Sequence, residues 1–304
     1  MQKVMKVDSA TFERMKKVYS TNTHLPAGAA FRMKGSRVVV TGYTKSKKVM
    51  FQGVAAADEV QRWGTTQSVS AKQRANRQQP TDLPAGFSSW SVLGSDEVGT
   101  GSYFGPLTVA AVYVAANQVE PITQLGVRDS KTLTDPEIIK LAKKIMATCP
   151  YHIVNLNPRI YNDKIKGRSQ AALKALCHNL ALSKVLNQLK PQVPAAILID
   201  QFEQPRTYFR HLQGQPVIVR DHVYFRVKGE QAHVAVAAAS VVARAYSLKM
   251  MDQLSEQAGM TLPIGANHLV DEVAAKLIRR GYQLRDFAKL HFANTDKAQQ
   301  LAER

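Results

Sequence analysis

The stretch 93-LGSDEVGTGSYFGPLTVAAVYV-114 places two adjacent acids, Asp96 and Glu97, after an apolar run and ahead of three glycines. Residues 90–96 have the composition of a strand, and the apolar run 107–116 has the composition of a second strand paired with it. Two neighbouring carboxylates at a buried position repel each other, and burial makes their ionised forms costly. The stretch therefore predicts a sheet whose first strand carries charges that another group must neutralise.

Strand and helix patterns alternate through residues 89–304. Buried strands are predicted at AAILIDQF and PVIVRD, and a buried helix at VAVAAASVVARAYSLKMMDQL. Four further segments have the pattern of helices: DPEIIKLAKKIMAT, SQAALKALCHNLALSKVLNQL, HLVDEVAAKLIRRGY and LRDFAKLHFANTDKAQQL. This alternation is typical of an α/β domain, which we expect to span residues 89–304.

Residues 1–65 show shorter signals of both kinds. Asp8 or Ser9 begins a predicted helix, and a helical pattern returns at VAAADEVQRW. Between them lie three strand-like runs, AAFRMK, RVVVTGYT and KKVMFQG. We therefore expect a small α+β domain over residues 1–65. Residues 66–88 are mostly polar and basic, which predicts a linker between the two domains.

The chain is strongly basic, since 41 Lys and Arg against 23 Asp and Glu give a formal net charge of +18. Residues 1–90 alone hold 15 of the basic and 5 of the acidic residues. Such an excess favours a polyanionic partner, either nucleic acid or an anionic membrane surface. No apolar run approaches the ~18 to 20 residues of a spanning helix, and the first residues lack the apolar centre of a signal peptide. We therefore expect a cytoplasmic protein that inserts into no membrane. Charge alone does not choose between the two partners; with the acids described below it favours nucleic acid, and the expectation is a monomer with no membrane partner.

Cysteine and histidine give no sign of a site of their own. Cys149 and Cys177 are the only cysteines and have no C-x-x-C spacing, so neither a disulfide framework nor a zinc site is predicted. Metal-ligand spacing is also missing among four histidines, to which we assign no catalytic role: His222, His233, His268 and His291.

Three acids in separate segments occupy positions from which they can meet at one edge of the predicted sheet. Asp96 ends the first strand, Asp200 ends AAILID, and Glu230 precedes the most apolar helix. Because α/β proteins place their sites at such strand ends, we expect these carboxylates to lie close together. Ionised carboxylates that meet out of water need a cation, and Mg2+ and Mn2+ prefer oxygen ligands. The three acids therefore predict a divalent-metal site.

Each acid also has a structural interpretation. An Asp at a strand end often caps a turn or the next helix, so neither Asp200 nor Glu230 establishes a metal site when taken singly. Asp221 competes with Glu230 for the same role, but it lies where a turn between strands is expected and ranks lower.

Two divalent ions ~3.5 to 4 Å apart would activate a water, hold a scissile phosphate and stabilise the leaving oxygen in an in-line displacement. Basic residues would then bind the flanking phosphates, and the affinity should fall steeply with salt. The acids and the basic charge together predict a nuclease. The alternative is a non-catalytic nucleic-acid-binding protein in which the acids serve folding.

Four segments resemble the signatures of the ribonuclease HIII family, a member of the type 2 ribonuclease H group. The segments occur in the order of that family: GSDEVGTGSYFGPLTVAAV at 94–112, RDSKTLTD at 128–135, ILIDQF at 197–202 and KGEQAHVAVAAASVVARA at 228–245. The resemblance covers residues 90–295. A further segment, GYTKSKKVMFQG at 42–53, resembles the TATA-binding-protein-like domain at the N-terminus of that family, which implies a role in binding the hybrid.

The resemblance implies a ribonuclease H-like catalytic domain and endonucleolytic cleavage of the RNA strand in RNA/DNA hybrids, leaving 5'-phosphate and 3'-hydroxyl ends. It implies Mg2+ or Mn2+ as cofactor, with two ions per site. Carried over by motif, the catalytic and metal-binding carboxylates are Asp96, Glu97, Asp200 and Glu230. In the related ribonuclease HII group the fourth acid is usually Asp, so Glu230 favours ribonuclease HIII.

The resemblance also implies a set of substrate-binding residues. Gly99, Thr100 and Gly101 stand where the ribonuclease HII group has Gly-Arg-Gly, and glycines there let backbone amides approach the RNA sugar and its 2'-hydroxyl. The missing arginine argues against the second alternative, excision of single ribonucleotides from DNA. Ser130 and Lys131 are implied to hold a substrate phosphate, unless the DSK segment only caps the following helix.

Overall fold

The computed structural model describes residues 2–19, 25–26, 28–44, 46–63, 83–127 and 132–303. The chain divides into two compact units, Met1–Pro80 and Thr81–Arg304. The division falls within the segment 66–88 that the sequence predicts as a linker, of which residues 66–82 lie outside the described residues.

The first unit is a four-stranded antiparallel sheet with two helices. Its strands pair in the order β1-β4-β3-β2 and are β1 (Gln2–Lys6), β2 (Ala29–Lys34), β3 (Val39–Tyr43) and β4 (Lys48–Gln52). The helices are α1 (Ser9–Tyr19) and α2 (Ala56–Arg62). Asp8 caps α1 by accepting the backbone N–H of Thr11 at 2.8 Å. The core includes the fully buried side chains of Phe12 and Phe51.

The three predicted strands and both predicted helices of this unit are present, whereas β1 is an element that the sequence patterns did not predict. Within β1, Met5 is buried and Val4 is exposed, so the strand lacks a clear apolar alternation. It forms because β4 offers a partner along its whole length, from Gln52 to Lys48. A strand of this kind depends on a neighbour that is distant in sequence.

The second unit is built on a five-stranded mixed sheet in the order β7-β6-β5-β8-β9. Its strands are β5 (Val92–Val98), β6 (Leu107–Val114), β7 (Tyr151–Leu156), β8 (Ala196–Asp200) and β9 (Val223–Arg226). The first three pair antiparallel, whereas β8 runs parallel to both β5 and β9. The parallel pair of β5 and β8 brings two strand ends to one edge of the sheet.

Helices cover both faces of this sheet. They are α3 (Val119–Gln124), α4 (Asp135–Thr148), α5 (Pro158–Lys164), α6 (Gln170–Leu189), α7 (Pro205–His211), α8 (Gly229–Ala232), α9 (Val234–Ala258), α10 (His268–Arg279) and α11 (Asn294–Ala302). Alternate residues of β6 enter different cores, since Ala110 and Val112 pack with α4 and α9, and Val109 and Ala111 pack with α6. Burial on both faces explains why β6 is an unbroken apolar run.

Helix α9 packs directly against the central strand. A Cβ atom added to Gly94 of β5 would lie 2.4 Å from the backbone of Ala235 and of Val236, so only glycine permits this approach. The expectation that no segment is long and apolar enough to span a membrane was wrong for α9, which could do so by length and composition alone. More than half of its apolar window is buried inside this unit, however. It is the core helix of the second unit, and its close packing fixes the end of β5 relative to the start of α9.

Two predictions for this unit were wrong. The apolar segment 216–221 forms no strand, because the side chain of Asn179 bonds the carbonyl of Val217 and the N–H of Val219 in place of a partner strand. The segment 284–301 is not one helix: a 3₁₀ turn at Leu284–Asp286 and helix α11 are separated by residues that pack against Phe104 and the loop after it.

Candidate active site

Two acids lie side by side at the edge formed by β5 and β8. The parallel register pairs Ser95 with Ile199, so the next residues, Asp96 and Asp200, are neighbours across the two strands. Asp200 is the last residue of β8, as predicted, whereas β5 continues two residues beyond Asp96 to Val98. Both Asp96 and Glu97 are therefore held by strand pairing rather than by a loop.

Helix α8 brings the fourth acid to the same edge. The backbone N–H of Gly229 donates to Oδ1 of Asp200 at 2.7 Å, which fixes the start of α8 at the end of β8. Lys228, just before the helix, adopts a left-handed conformation with φ of 59°. Glu230 follows Gly229 directly, and its charge acts on Asp200. The turn into α8 thus places Glu230 close to Asp200.

Burial and mutual repulsion change the acidity of the two aspartates. Burial, with the charges of Asp200 and Glu97, raises the pKa of Asp96 to about 7, although a hydrogen bond from Ser240 opposes the rise. Burial also raises the pKa of Asp200, with contributions from the charges of Glu97 and Glu230. Asp200 therefore lies within electrostatic range of each of the other three predicted carboxylates.

Glu97 has a different environment from the aspartates. Lys174 donates from Nζ to Oε1 of Glu97 at 2.8 Å, and Nε2 of His178 lies 3.0 Å from Oε2. Burial disfavours the ionised form of Glu97, but the hydrogen bonds and charges of His178 and Lys174 outweigh burial and hold its pKa below the ordinary value. Glu97 is thus an ionised carboxylate with a partner on each oxygen.

Lys174 and His178 both come from α6, and the sequence patterns did not identify either one. Nδ1 of His178 lies 2.8 Å from Oγ of Ser95, two residues before Glu97. Phe202 packs under both side chains, with its ring stacked on His178 and its centroid 3.9 Å from Nζ of Lys174. The available signal was the i, i+4 spacing of a lysine and a histidine in a helix that is otherwise mostly apolar on this face.

The donor set fits a hard divalent cation, because four carboxylates at one edge supply oxygen ligands. Burial, with repulsion between the acids as a smaller cause, raises the pKa of two of them, Asp96 and Asp200. Within the described residues, however, no group of three or more His, Cys, Asp or Glu side chains is already arranged around a metal position. The oxygens of Glu97 are directed to Lys174 and His178 instead. The ligand types are present, but their final arrangement requires side-chain movement.

The glycine loop, which we define as Gly99, Thr100 and Gly101, follows β5 directly. Gly99 has φ of 93°, and a Cβ atom there would lie 2.2 Å from the carbonyl oxygen of Pro106. Gly101 is exposed and open, with no atom within 4 Å of an added Cβ. The carbonyl of Thr100 accepts a hydrogen bond from Nε2 of Gln170 at 3.1 Å. The loop is therefore fixed at its base and accessible at its tip.

Other positions singled out from the sequence are Ser130, Lys131, Asp221 and His233. Ser130 and Lys131 lie outside the described residues. Asp221 is exposed in the turn before β9, in agreement with its lower rank. His233 caps α9, since its Nδ1 accepts the backbone N–H of Ala235 at 3.0 Å, which is a structural role.

Comparisons with known proteins agree with this geometry. The family model described as Ribonuclease HII matches residues 93–295, and a domain of unknown function, DUF3378, matches residues 2–76. A ribonuclease HIII from Limosilactobacillus fermentum is 63% identical over 302 residues, which cover 99% of each chain. The ribonuclease HIII of Bacillus subtilis is 47% identical over 99% of this chain and 98% of its own length.

Solved structures give the same assignment. The crystal structure of Bst-RNase HIII in complex with Mn2+ is 41% identical in sequence, covers 100% of both chains and superposes with a TM-score of 0.71. The ribonuclease H2 of Pyrococcus horikoshii, at 21% identity and a TM-score of 0.57, covers 70% of this chain and supports the fold. These matches confirm the predicted fold class, a ribonuclease H-like domain preceded by a small α+β domain. The chain belongs to the ribonuclease HIII family.

Proposed function

We propose that this chain is an endonuclease that hydrolyses the RNA strand of RNA/DNA hybrids and leaves 5'-phosphate and 3'-hydroxyl ends. The observation that carries the proposal is the pair Asp96 and Asp200 on adjacent parallel strands, with Glu97 and Glu230 within electrostatic range. Ribonuclease HIII relatives over the full length of the chain support the same activity. Action as a cytoplasmic monomer is part of this proposal and rests on the sequence alone.

Divalent cations, Mg2+ or Mn2+ and two per site, would supply an activated water and neutralise the charge on the scissile phosphate. Asp96, Asp200 and Glu230 would hold them, and Glu97 would complete the set of ligands. The strands keep the carboxylates of Asp96 and Asp200 at a fixed spacing, so little backbone reorganisation is needed for metal binding. The hydrogen bond from Gly229 leaves the second oxygen of Asp200 for a ligand.

The glycine loop would position the RNA strand at this edge. Gly101 is exposed and has no Cβ, so its backbone can approach a ribose 2'-hydroxyl, the group that distinguishes RNA from DNA. Ser130 and Lys131, in the DSK segment, would contact a phosphate. The basic first unit would bind phosphates of the hybrid, since residues 1–90 hold 15 Lys and Arg against 5 Asp and Glu.

The test is cleavage of a 5'-labelled RNA strand in a hybrid, with Mg2+ or Mn2+ present, by the wild-type chain and by Asp96→Asn. Loss of a metal-binding carboxylate should reduce turnover by about 10²-fold or more. Asp221→Asn removes an exposed acid away from the site and serves as the matched control, with turnover close to wild type. Wild-type turnover by Asp96→Asn, or hybrid that is bound but left intact by the wild-type chain, would contradict the proposal.

A further inference from the structure

Glu97 is neutralised by the protein itself. Its side chain is 9% exposed, that of Lys174 is 12% exposed and that of His178 is fully buried. An ion pair this enclosed is screened little by solvent, so Lys174 holds Oε1 with most of its Coulombic attraction intact. Glu97 therefore has a cation beside it before any metal arrives.

His178 contributes orientation through both of its ring nitrogens. If Oγ–H of Ser95 donates to Nδ1, the N–H at Nε2 donates to Oε2 of Glu97, and all three groups are satisfied. Because Ser95 and Glu97 lie on the same strand, β5, this arrangement fixes the carboxylate relative to the sheet. The ammonium of Lys174 then supplies the charge on the other oxygen.

Neither Asp96 nor Asp200 is paired with an ammonium among the described contacts, although the charge of His178 acts on Asp200. Asp96 accepts the backbone N–H of Glu97 at 2.7 Å and a hydrogen bond from Ser240, and Asp200 accepts the backbone N–H of Gly229. The acids at this edge therefore differ in how their charge is balanced. The two aspartates repel each other, whereas Glu97 is already paired.

We propose that Lys174 competes with the divalent cation for Glu97, so that metal can bind Glu97 only as the lysine ammonium withdraws from Oε1. The inference rests on the proposed function, because it concerns the same metal site. An ammonium and a divalent cation on one carboxylate repel each other, and this repulsion weakens metal binding. The ring centroid of Phe202 lies 3.9 Å from the ammonium, and this cation–π contact gives Lys174 a second partner when it leaves Glu97.

The test is calorimetric titration of Mn2+ into the full chain, without substrate. Lys174→Met removes the charge at similar volume and should tighten Mn2+ binding by roughly three- to tenfold. Lys174→Gln keeps a hydrogen-bond donor toward Oε1 without the charge, should show the same direction, and replaces the Met variant if that variant fails to fold. The activation curve of hybrid cleavage should move to lower metal concentration in the same variants.

Two controls separate this effect from a general change of charge. Lys174→Arg keeps the positive charge and should bind Mn2+ as the wild type does. Lys166→Met removes an exposed lysine that pairs with Asp163 at 3.1 Å, and it lowers the net charge by the same amount without touching Glu97. It should also leave the Mn2+ affinity unchanged.

Thermal unfolding gives a second readout. Without metal, the Lys174→Met variant should have a lower melting temperature than the wild type, because Oε1 of Glu97 is then buried without its cation. Mn2+ should raise the melting temperature of the variant by more than it raises that of the wild type. Mn2+ affinity that is unchanged or weaker in both neutral variants would overturn the inference and leave the proposed function standing. A wild-type chain that binds no Mn2+ would overturn both.

Discussion

The ammonium of Lys289 lies 2.7 Å from the backbone carbonyl of Gly105, inside the second unit and fully buried. It also donates to the carbonyl of Ser102 at 2.7 Å and to that of Phe104 at 3.4 Å. These three carbonyls belong to the segment that joins the glycine loop to β6. Lys289 therefore anchors the chain just beyond the glycine loop, which follows the end of β5 that carries Asp96 and Glu97.

Lys289 should make stability depend on pH in the alkaline range. Burial lowers its pKa from 10.5 to about 7, so between these values the unfolded chain binds a proton that the folded chain does not. The free energy of unfolding of the wild type, relative to that of Lys289→Met, should therefore rise with pH, by about 2 to 3 kcal/mol between pH 7 and 9.5. Urea denaturation of both proteins across this range measures it.

The Met variant serves as the reference because every other titrating group is common to both proteins. It should also be less stable in itself at pH 9.5, since the carbonyls of Ser102 and Gly105 lose their donor at a cost of about 1 to 3 kcal/mol. If the difference in the free energy of unfolding between the two proteins does not change with pH, the three carbonyls keep the Lys289 ammonium charged in the folded state, contrary to the prediction.

Gln170 should affect substrate binding more than the chemical step. Its Nε2 donates to the carbonyl of Thr100 and to Oη of Tyr161, both at 3.1 Å, and Tyr161 is fully buried. Gln170→Ala removes the hydrogen bond to the carbonyl of Thr100 and leaves the glycine loop less firmly held. Because a lost hydrogen bond costs about 1 kcal/mol, KM for the hybrid should rise about three- to tenfold. We expect kcat to stay within about twofold because the carboxylates are not touched.

Gln192→Ala is the matched control, since Gln192 also donates to a tyrosine hydroxyl, that of Tyr113 at 2.7 Å, but does not contact the loop. Steady-state kinetics of the two variants on one hybrid distinguish the roles. A fall in kcat at constant KM for Gln170→Ala would assign the residue to the acids rather than to the loop.

Sequence patterns predicted the parts of the site that local signals specify. Asp200 ends a short apolar strand, and Glu230 lies just ahead of the most apolar helix. Both signals come from neighbouring residues. Asp96 and Glu97 stand out because two acids interrupt an apolar segment. These positions depend on the neighbouring residues, so the sequence alone locates them.

The partners of Glu97 could not be predicted in this way, because Lys174 and His178 reach it from a helix more than 70 positions later. Lys289 is a second example: it lies in a segment predicted as one helix, whereas the structure buries its side chain among backbone carbonyls. In both cases the partner is set by tertiary packing, which periodicity does not encode.

The basic first unit should carry much of the affinity for the hybrid. Residues 1–90 hold 15 Lys and Arg against 5 Asp and Glu, and removing residues 1–82 leaves the second unit with its own cores and the four carboxylates. Because each lost phosphate contact removes about one released counterion, the truncated chain should bind the hybrid about tenfold more weakly or worse and with a shallower salt dependence. Fluorescence anisotropy at several salt concentrations measures both the affinity and its salt dependence.

Mn2+ titration of the truncated chain is the control, and the Mn2+ affinity of the truncated chain should match that of the full chain. An unchanged slope of log K against log salt would show that the second unit alone makes the phosphate contacts.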